Sequence, residues 1–205
     1  MLHRFHWRKI KNYFGEVKSY GCIGYEYVDI AKSISEGLAR KVISASYNSV
    51  IVELSSELNE NGDIKFFTWD DNEGKKAFWH SSAHILAQTI KHIYPKSKLT
   101  IGPAIDNGFY YDVDFGGDIP SEKDFKMIEE KFLQFARENN EFKMRQSSKS
   151  EALDYYKKEG NQYKVELIED LEDGTITFCD HSNFSDLCKG GHIPSTGIVK
   201  SVKLL

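Results

Sequence analysis

The spacing of apolar positions changes several times along the chain, and each change marks a different kind of element. In "YVDIAKSISEGLARKV" Ile30 and Ile34 stand four apart, which predicts one or two helical turns with Gly37 as the stop. "VISASYNSVIVEL" reads as two strands rich in β-branched residues around a turn at Asn48-Ser49, and "ELNENGDIKFFTW" adds an Asn61-Gly62 turn and another strand. The period then lengthens. At about 100° per residue, Trp79, Ala83, Leu86, Ile90 and Ile93 share one stripe, predicting a helix from Lys76 to Tyr94 that Pro95 stops. From Phe109 it shortens again, with Phe109, Tyr111, Val113 and Phe115 on one face and Tyr110, Asp112 and Asp114 on the other. That alternation predicts a half-buried antiparallel strand. Amphipathic helices are predicted at about 121–140 and 149–159. "YKVELIEDL" reads as a strand or short helix, "GTITFC" as a strand, and "NFSDLCKGGHIPSTG" as loop.

Strands wrapped around a short helix within sixty residues suggest a small α+β domain. The polar stretch "DDNEGKK", residues 70–76, reads as the linker to a second unit. The 205 residues, 40% apolar and 28% charged, suffice to bury one large core or two small ones. A formal charge of −4 excludes a wholly basic surface, yet a local patch could still meet a polyanion. Charge is uneven: Arg4, Arg8, Lys9, Lys11 and Lys18 face only Glu16 in the first twenty residues, whereas 121–173 is rich in acids. "MLHRFHWRKIKNYF" is basic like a transit peptide but lacks serine and a sustained period, so a cytoplasmic location is expected. No apolar run reaches the roughly 20 residues of a membrane span. Cys22, Cys179 and Cys188 form no C-x-x-C pair and no disulfide framework, which suits a reducing setting.

The candidate chemistry lies in "HSSAHILAQ". His80 and His84, four apart, fall on one helix face beside the small Ala83 and Ala87. A second short pair, Cys188 and His192, follows about a hundred residues later. Imidazoles and a thiolate are zinc ligands, and two such pairs can complete one tetrahedral site. One histidine pair alone is more often a packing feature. A zinc protease needs glutamate where Ser81 stands, and a nucleobase deaminase needs H-x-E with P-C-x-x-C, which is absent. A Cys188 nucleophile with His192 or His80 as base stays open. No G-x-S-x-G, Walker A or G-x-G-x-x-G motif occurs. His92 reads as solvent-facing or packed, His181 as a loop residue, Cys179 as a core thiol, and His3 and His6 as part of the basic N-terminus.

"HSSAHILAQTIKHIYP", "IGPAIDNGFYYDVDF", "YKVELIED" and "DLCKGGHIPSTG" resemble the N-terminal editing domain of bacterial threonyl-tRNA synthetases, shared more distantly with alanyl-tRNA synthetases and free-standing editing proteins. "YVDIAKSISEGLARKVISAS" through "FWHSSAH" is similar to that family's small TGS domain running into the editing domain. The resemblance implies an α+β chain: a small ubiquitin-like (β-grasp) TGS domain, then an α+β threonyl/alanyl-tRNA synthetase second additional (editing) domain. The boundaries it implies are a divergent segment at 1–24, a TGS-like domain at 25–69 with uncertain first strands, a linker at 70–76 and the editing domain at 77–205. Asn48-Ser49 replaces an Asn-Gly turn, and Gly191 stands where many relatives have proline, a change expected to matter little. The family continues past "VKSVKLL" into a class II core with the ATP and core zinc sites and the homodimer contacts, so aminoacylation is not expected of this chain by itself.

The resemblance further implies a function. Serine lacks one methyl of threonine, a difference worth only about 1–3 kcal/mol in a pocket, so misattached serine must be removed at a second site. By motif match that site comprises His80, His84, Lys164, Asp186, Cys188 and His192. His80 and Lys164 would position or deprotonate the water, aided by the terminal ribose hydroxyl. His84 and Asp186 would orient the seryl group. Cys188 and His192 would shape the pocket and help hold the terminal adenosine. The implied partner is the acceptor end of threonine tRNA carrying a seryl group, with neither DNA nor membrane. No cofactor is assigned; the alternative is Zn2+ on His80, His84, Cys188 and His192, the set the alanyl relatives use. A non-catalytic fragment that binds the acceptor end is the other alternative, and the acidic surface predicts weak, salt-sensitive activity.

Overall fold

A computed structural model of the chain describes residues 22–205 and the backbone of Glu16–Lys18. The elements run β1 (Glu16–Lys18), α1 (Tyr27–Ile34), α2 (Glu36–Ala39), β2 (Ser44–Tyr47), β3 (Val50–Val52), β4 (Asp63–Phe67), α3 (Asn72–Ile93), β5 (Lys98–Leu99), β6 (Ala104–Ile105), β7 (Gly108–Phe109), β8 (Val113–Asp114), α4 (Glu122–Arg137), β9 (Lys143–Gln146), α5 (Lys149–Lys158), α6 (Gln162–Glu169), β10 (Thr177–His181) and β11 (Phe184–Leu187). The architecture is the mixed α+β expected. Among the described residues no helix is long and apolar enough to cross a membrane.

The first elements form an antiparallel sheet in the order β1-β4-β2-β3. Asn48 and Ser49 both take positive φ (46° and 68°), the backbone a two-residue hairpin needs, and Asn48 tolerates it best. Tyr27, Ile30 and Ala31 of α1 pack on Ala45, Ile64 and Phe66, with Leu54 and Leu58 closing a small core of its own. Gly37 does not stop the first helix. The chain turns at Ser35, whose side chain accepts from the Leu38 N–H at 3.0 Å and starts α2, so Gly37 lies inside that second turn. The strand left uncertain is β1, which pairs Glu16 with Lys65. The rest of 1–21, with Arg4, Arg8, Lys9, Lys11, His3 and His6, lies outside the described residues, and so does the reading of that stretch as divergent or transit-like.

α3 starts at Asn72, so most of the stretch read as a linker is helical. Its polarity serves the helix start: the Asp71 carboxylate accepts from the Thr68 backbone N–H (2.7 Å) and hydroxyl (3.1 Å). Gly74 is pressed on the same turn, where a Cβ would lie 1.9 Å from the Thr68 carbonyl oxygen. Gly74→Ala is therefore expected to lower the unfolding free energy by about 1–3 kcal/mol by overpacking, despite alanine's better helix propensity. Urea denaturation checks this; a gain in stability would mean the junction yields freely.

From Ser81 to Ile90 the helix is buried all round, more than the single stripe predicted. Its hydroxyls are satisfied internally: Ser81, Ser82 and Thr89 each donate to the carbonyl four residues back at 2.8 Å. α3 packs against α4, the β6–β7 hairpin and β2, and the main core gathers Ile85, Leu86 and Ile90 with Phe132, Phe142 and Ile193. The strand predicted from Phe109 is broken. β7 pairs with β6, β8 pairs with β5, and residues 110–112 belong to neither ladder, although Phe109, Tyr111, Val113 and Phe115 all turn toward the core as the alternation implied. α4 and α5 begin with capping boxes at Ser121/Asp124 and Ser148/Glu151. "YKVELIED" is helical (α6). The last segment is not all loop, because β11 joins the sheet β11-β10-β9.

Candidate functional site

Three elements carry the predicted residues to one place. α3 presents His80 and His84 with ring centroids 4.8 Å apart. β11 points Asp186 inward and ends just before Cys188. α6 contributes Lys164, 2% exposed. After Cys188 the chain reverses through Gly190 and Gly191, with φ of 95° and 93°, a region that glycine enters freely. This reversal returns His192 to the cysteine. All six residues the sequence singled out are thereby brought together.

They form two adjoining clusters. In the first, Cys188 Sγ lies 3.1 Å from His80 Nε2 and 3.3 Å from both His84 Nε2 and His192 Nε2, with the Gly190 N–H donating at 3.3 Å. Burial pushes the Cys188 thiol up, but hydrogen bonds from His192, His80 and His84 outweigh it and bring it down to about 2. Burial acts on His192 in the opposite sense to its neighbours Cys179, Cys188 and Glu53, which together hold the imidazole well above its ordinary range. His84 is pushed down chiefly by burial. Within the first cluster the two shifts run in opposite directions, Cys188 down and His192 up, so each favours the charged form of its group.

In the second cluster Asp186 Oδ1 accepts from Lys164 Nζ at 2.7 Å and from the Tyr156 hydroxyl at 3.3 Å, while Oδ2 accepts a short hydrogen bond from the Tyr111 hydroxyl. Burial and the Asp186 carboxylate push both tyrosine hydroxyls well above 10. His84 Nδ1 faces Asp186 Oδ2 at 3.8 Å, beyond hydrogen-bond reach, and links the clusters without bonding them. Both clusters open onto a cleft of about 870 Å³, whose lining also includes Lys76, Lys189, Ile51 and Ser44.

The sulfur cluster has the donor types for a metal, since the ligand atoms of His80, His84, Cys188 and His192 all lie within 4.8 Å of one another. Three imidazoles and a thiolate suit zinc, and a carboxylate on the outer nitrogen of His192 is the support such ligands commonly have. A cysteine nucleophile fits less well: a thiolate held by four donors has little freedom, and nucleophilicity falls as the thiol pKa falls.

The chain is 58% identical over 182 residues to the threonine–tRNA ligase of Flavobacterium psychrophilum, 47% over 182 residues to that of Cytophaga hutchinsonii and 46% over 183 residues to that of Caldanaerobacter subterraneus subsp. tengcongensis, each match covering 89% of this chain. The chain is thus similar over most of its length to one part of these threonine–tRNA ligases. It spans about 28% of the length of those ligases. No family model matches it.

The site has features that motif reading does not reveal. Glu53, from the loop after β3, accepts from the Gly191 N–H at 2.8 Å and from His192 Nδ1 at 2.9 Å. No spacing connects it to residues 138 and 139 positions later. Tyr111 lay on the correct face of the predicted strand, but nothing marked its hydroxyl as a partner of Asp186; Gly102 clears its ring, since a Cβ there would come within 2.3 Å of it. Gly191 matters more than expected. Proline could neither take its φ of 93° nor donate the N–H that Glu53 accepts. His192 is 1% exposed and does not line the cleft; its ring is stacked between His80 and Phe142. It lies behind Cys188, outside the cleft's wall. His181, read as a loop residue, ends β10 in the core at 2% exposure. His92 is exposed beside Phe135, and Cys179 is a buried thiol raised to about 11 by burial.

Proposed function

We propose that this cleft hydrolyses the ester that joins a misattached seryl group to the acceptor end of threonine tRNA, within an α+β editing domain preceded by a small TGS-type domain. The observation that carries the reading is the buried Lys164–Asp186 pair set against His80 and His84 in one cleft. An activated ester needs a positioned water, a proton acceptor and a donor for the oxyanion. Lys164, held by Asp186 at 2.7 Å, offers its remaining N–H groups to the water or the oxyanion. His80, the least buried of the three clustered histidines, is the group that accepts the water's proton. Asp186 and the Tyr111 hydroxyl take the seryl amine and hydroxyl, while Cys188 fixes the orientation of both α3 imidazoles. Lys76 and Lys189 at the cleft suit the phosphates of an acceptor strand, which makes binding salt-dependent.

The test is deacylation in trans, by the 205-residue chain, of threonine tRNA charged with serine or with threonine. Hydrolysis of the seryl ester with the threonyl ester spared supports the proposal. Binding of either without turnover would favour a non-catalytic acceptor-end module.

A second reading rests on the donor set itself: His80, His84, Cys188 and His192 would hold zinc, which would supply Lewis-acid polarisation or an ionised water there. Metal analysis of purified protein separates the two. The expected result is well below one zinc per chain, with hydrolysis unchanged by a chelator. One tightly bound zinc whose removal abolishes hydrolysis would establish the second reading.

A further inference from the structure

Glu53 belongs to the small unit, whose core is separate from the one that holds the site, yet its side chain is only 11% exposed and is turned to the cysteine–histidine turn. It accepts from the Gly191 N–H at 2.8 Å, from the His192 backbone N–H at 3.3 Å to each oxygen, and from His192 Nδ1 at 2.9 Å. Among the described residues His192 is its ion-pair partner; no lysine or arginine lies within 4.0 Å of it. Cys179 Sγ also approaches Nδ1, but at 3.9 Å, so the Nδ1 proton points to Glu53. The ring plane is fixed by Phe142 at 5.2 Å and 11° and by His80 at 4.9 Å and 26°. With plane and Nδ1 proton both set, Nε2 is aimed at Cys188 Sγ. The carboxylate also holds the Gly190–Gly191 reversal, which has no side chains of its own to hold it.

We infer that Glu53 is a positioning residue for the cleft: a carboxylate of the small unit sets the hydrogen-bonding direction of His192, and through it of Cys188, so that the site is complete only with the small unit docked. The inference rests on the editing proposal for its rate consequence alone. The geometry it asserts holds for any occupant of the cleft.

Two measurements on the full 205-residue chain test it. Imidazole ¹⁵N–¹H correlation spectra of the labelled chain read the proton on His192 Nδ1. We expect a strongly downfield Nδ1–H, lost in Glu53→Ala and retained but weakened in Glu53→Gln, which keeps an acceptor oxygen and nearly the same size. Steady-state seryl-tRNA deacylation should then show kcat reduced about 10–100-fold by Glu53→Ala, as for other outer partners of site histidines, with KM little changed and partial rescue in Glu53→Gln. Ile43→Ala trims another contact between the small unit and the main core without touching His192. It should lower the Nδ1–H signal and kcat far less than Glu53→Ala does. An Nδ1–H signal that survives Glu53→Ala, or losses in Ile43→Ala as large as those in Glu53→Ala, would overturn the inference and make Glu53 a mere tether. If Glu53→Ala does not fold, Glu53→Gln decides: an unaltered Nδ1–H signal overturns the inference and a weakened one supports it. The spectra report whether or not the chain hydrolyses the ester, so failure of the editing proposal leaves this test intact.

Discussion

Lys164→Ala is expected to lower the rate of seryl-ester hydrolysis by about 10²–10⁴-fold and the unfolding free energy by about 3–5 kcal/mol. Lys164 and Asp186 are 3% and 4% exposed and 2.7 Å apart, so each is the other's main compensation for leaving water. Removing the lysine strands a carboxylate in the core, with only the Tyr111 and Tyr156 hydroxyls and the Leu187 N–H left to bond it. These neutral donors reduce the penalty without replacing a charge. Fold and chemistry can then be separated. Lys164→Met with Asp186→Asn removes both charges at nearly constant volume, and such paired replacements are often close to neutral for stability. The double variant should therefore regain most of the lost stability and none of the lost rate. Urea denaturation and single-turnover deacylation are the two readouts. A Lys164→Ala chain with unchanged hydrolysis would end the proposed mechanism, and one with unchanged stability would mean the pair is wetter than its burial indicates.

The second large effect is acid lability. His181 is pushed down to about 3, first by burial and then by His84 and His192, and neither of its ring nitrogens has a hydrogen-bond partner. Its pKa in the unfolded chain is about 6.5, so between about 6.5 and 3 the unfolded state binds a proton that the folded state refuses. Stability is therefore highest above 6.5 and falls as pH drops through that window, by about 1.4 kcal/mol per pH unit for this one group. Lowered His84 acts in the same direction, and so does Cys188, whose folded value lies below its unfolded one. His192 is raised, so its contribution is present below 6.5 and is lost as pH rises through its folded value, a separate alkaline effect. His181→Phe removes one proton's worth of the acid slope. Its ring would occupy a slot already lined by Phe142 and Phe184 at 4.9 and 5.3 Å. Denaturation curves at pH 7, 6 and 5 check this; equal slopes in both chains would rule out a neutral buried imidazole.

These two sites also mark what the sequence could reveal. His80 and His84 were legible because helical spacing stacks them, and Cys188 and His192 because they form a second short-spaced pair of zinc-type ligands. Lys164 and Asp186 carry no such local geometry, and only the resemblance singled them out. His181 looked like a loop residue because its strand ends in the polar "DHSN"; burial there comes from Phe142, distant in sequence. The same gap explains the broken strand after Phe109. Alternation reports which side chains face the core, whereas ladder partners depend on where the neighbouring hairpin bends, and the correct face survived the wrong ladder. Residues 70–76 misled for a different reason: a polar, glycine-containing stretch can be a linker or a helix start, and the Asp71–Thr68 turn and the Gly74 contact were invisible until β4 and α3 were set against each other.

The separate cores give the molecule an unequal resistance to opening. The small unit buries few large side chains, and such units tend to open and reclose on their own while the rest stays folded. Each opening would carry Glu53 away from His192 and remove Ile51 from the lining of the cleft. Amide protons of β2 and β4 would then exchange with solvent faster than those of α3, and the fraction of molecules with a finished cleft at any moment would be set by the breathing of a domain that contributes no atom to the bond being broken.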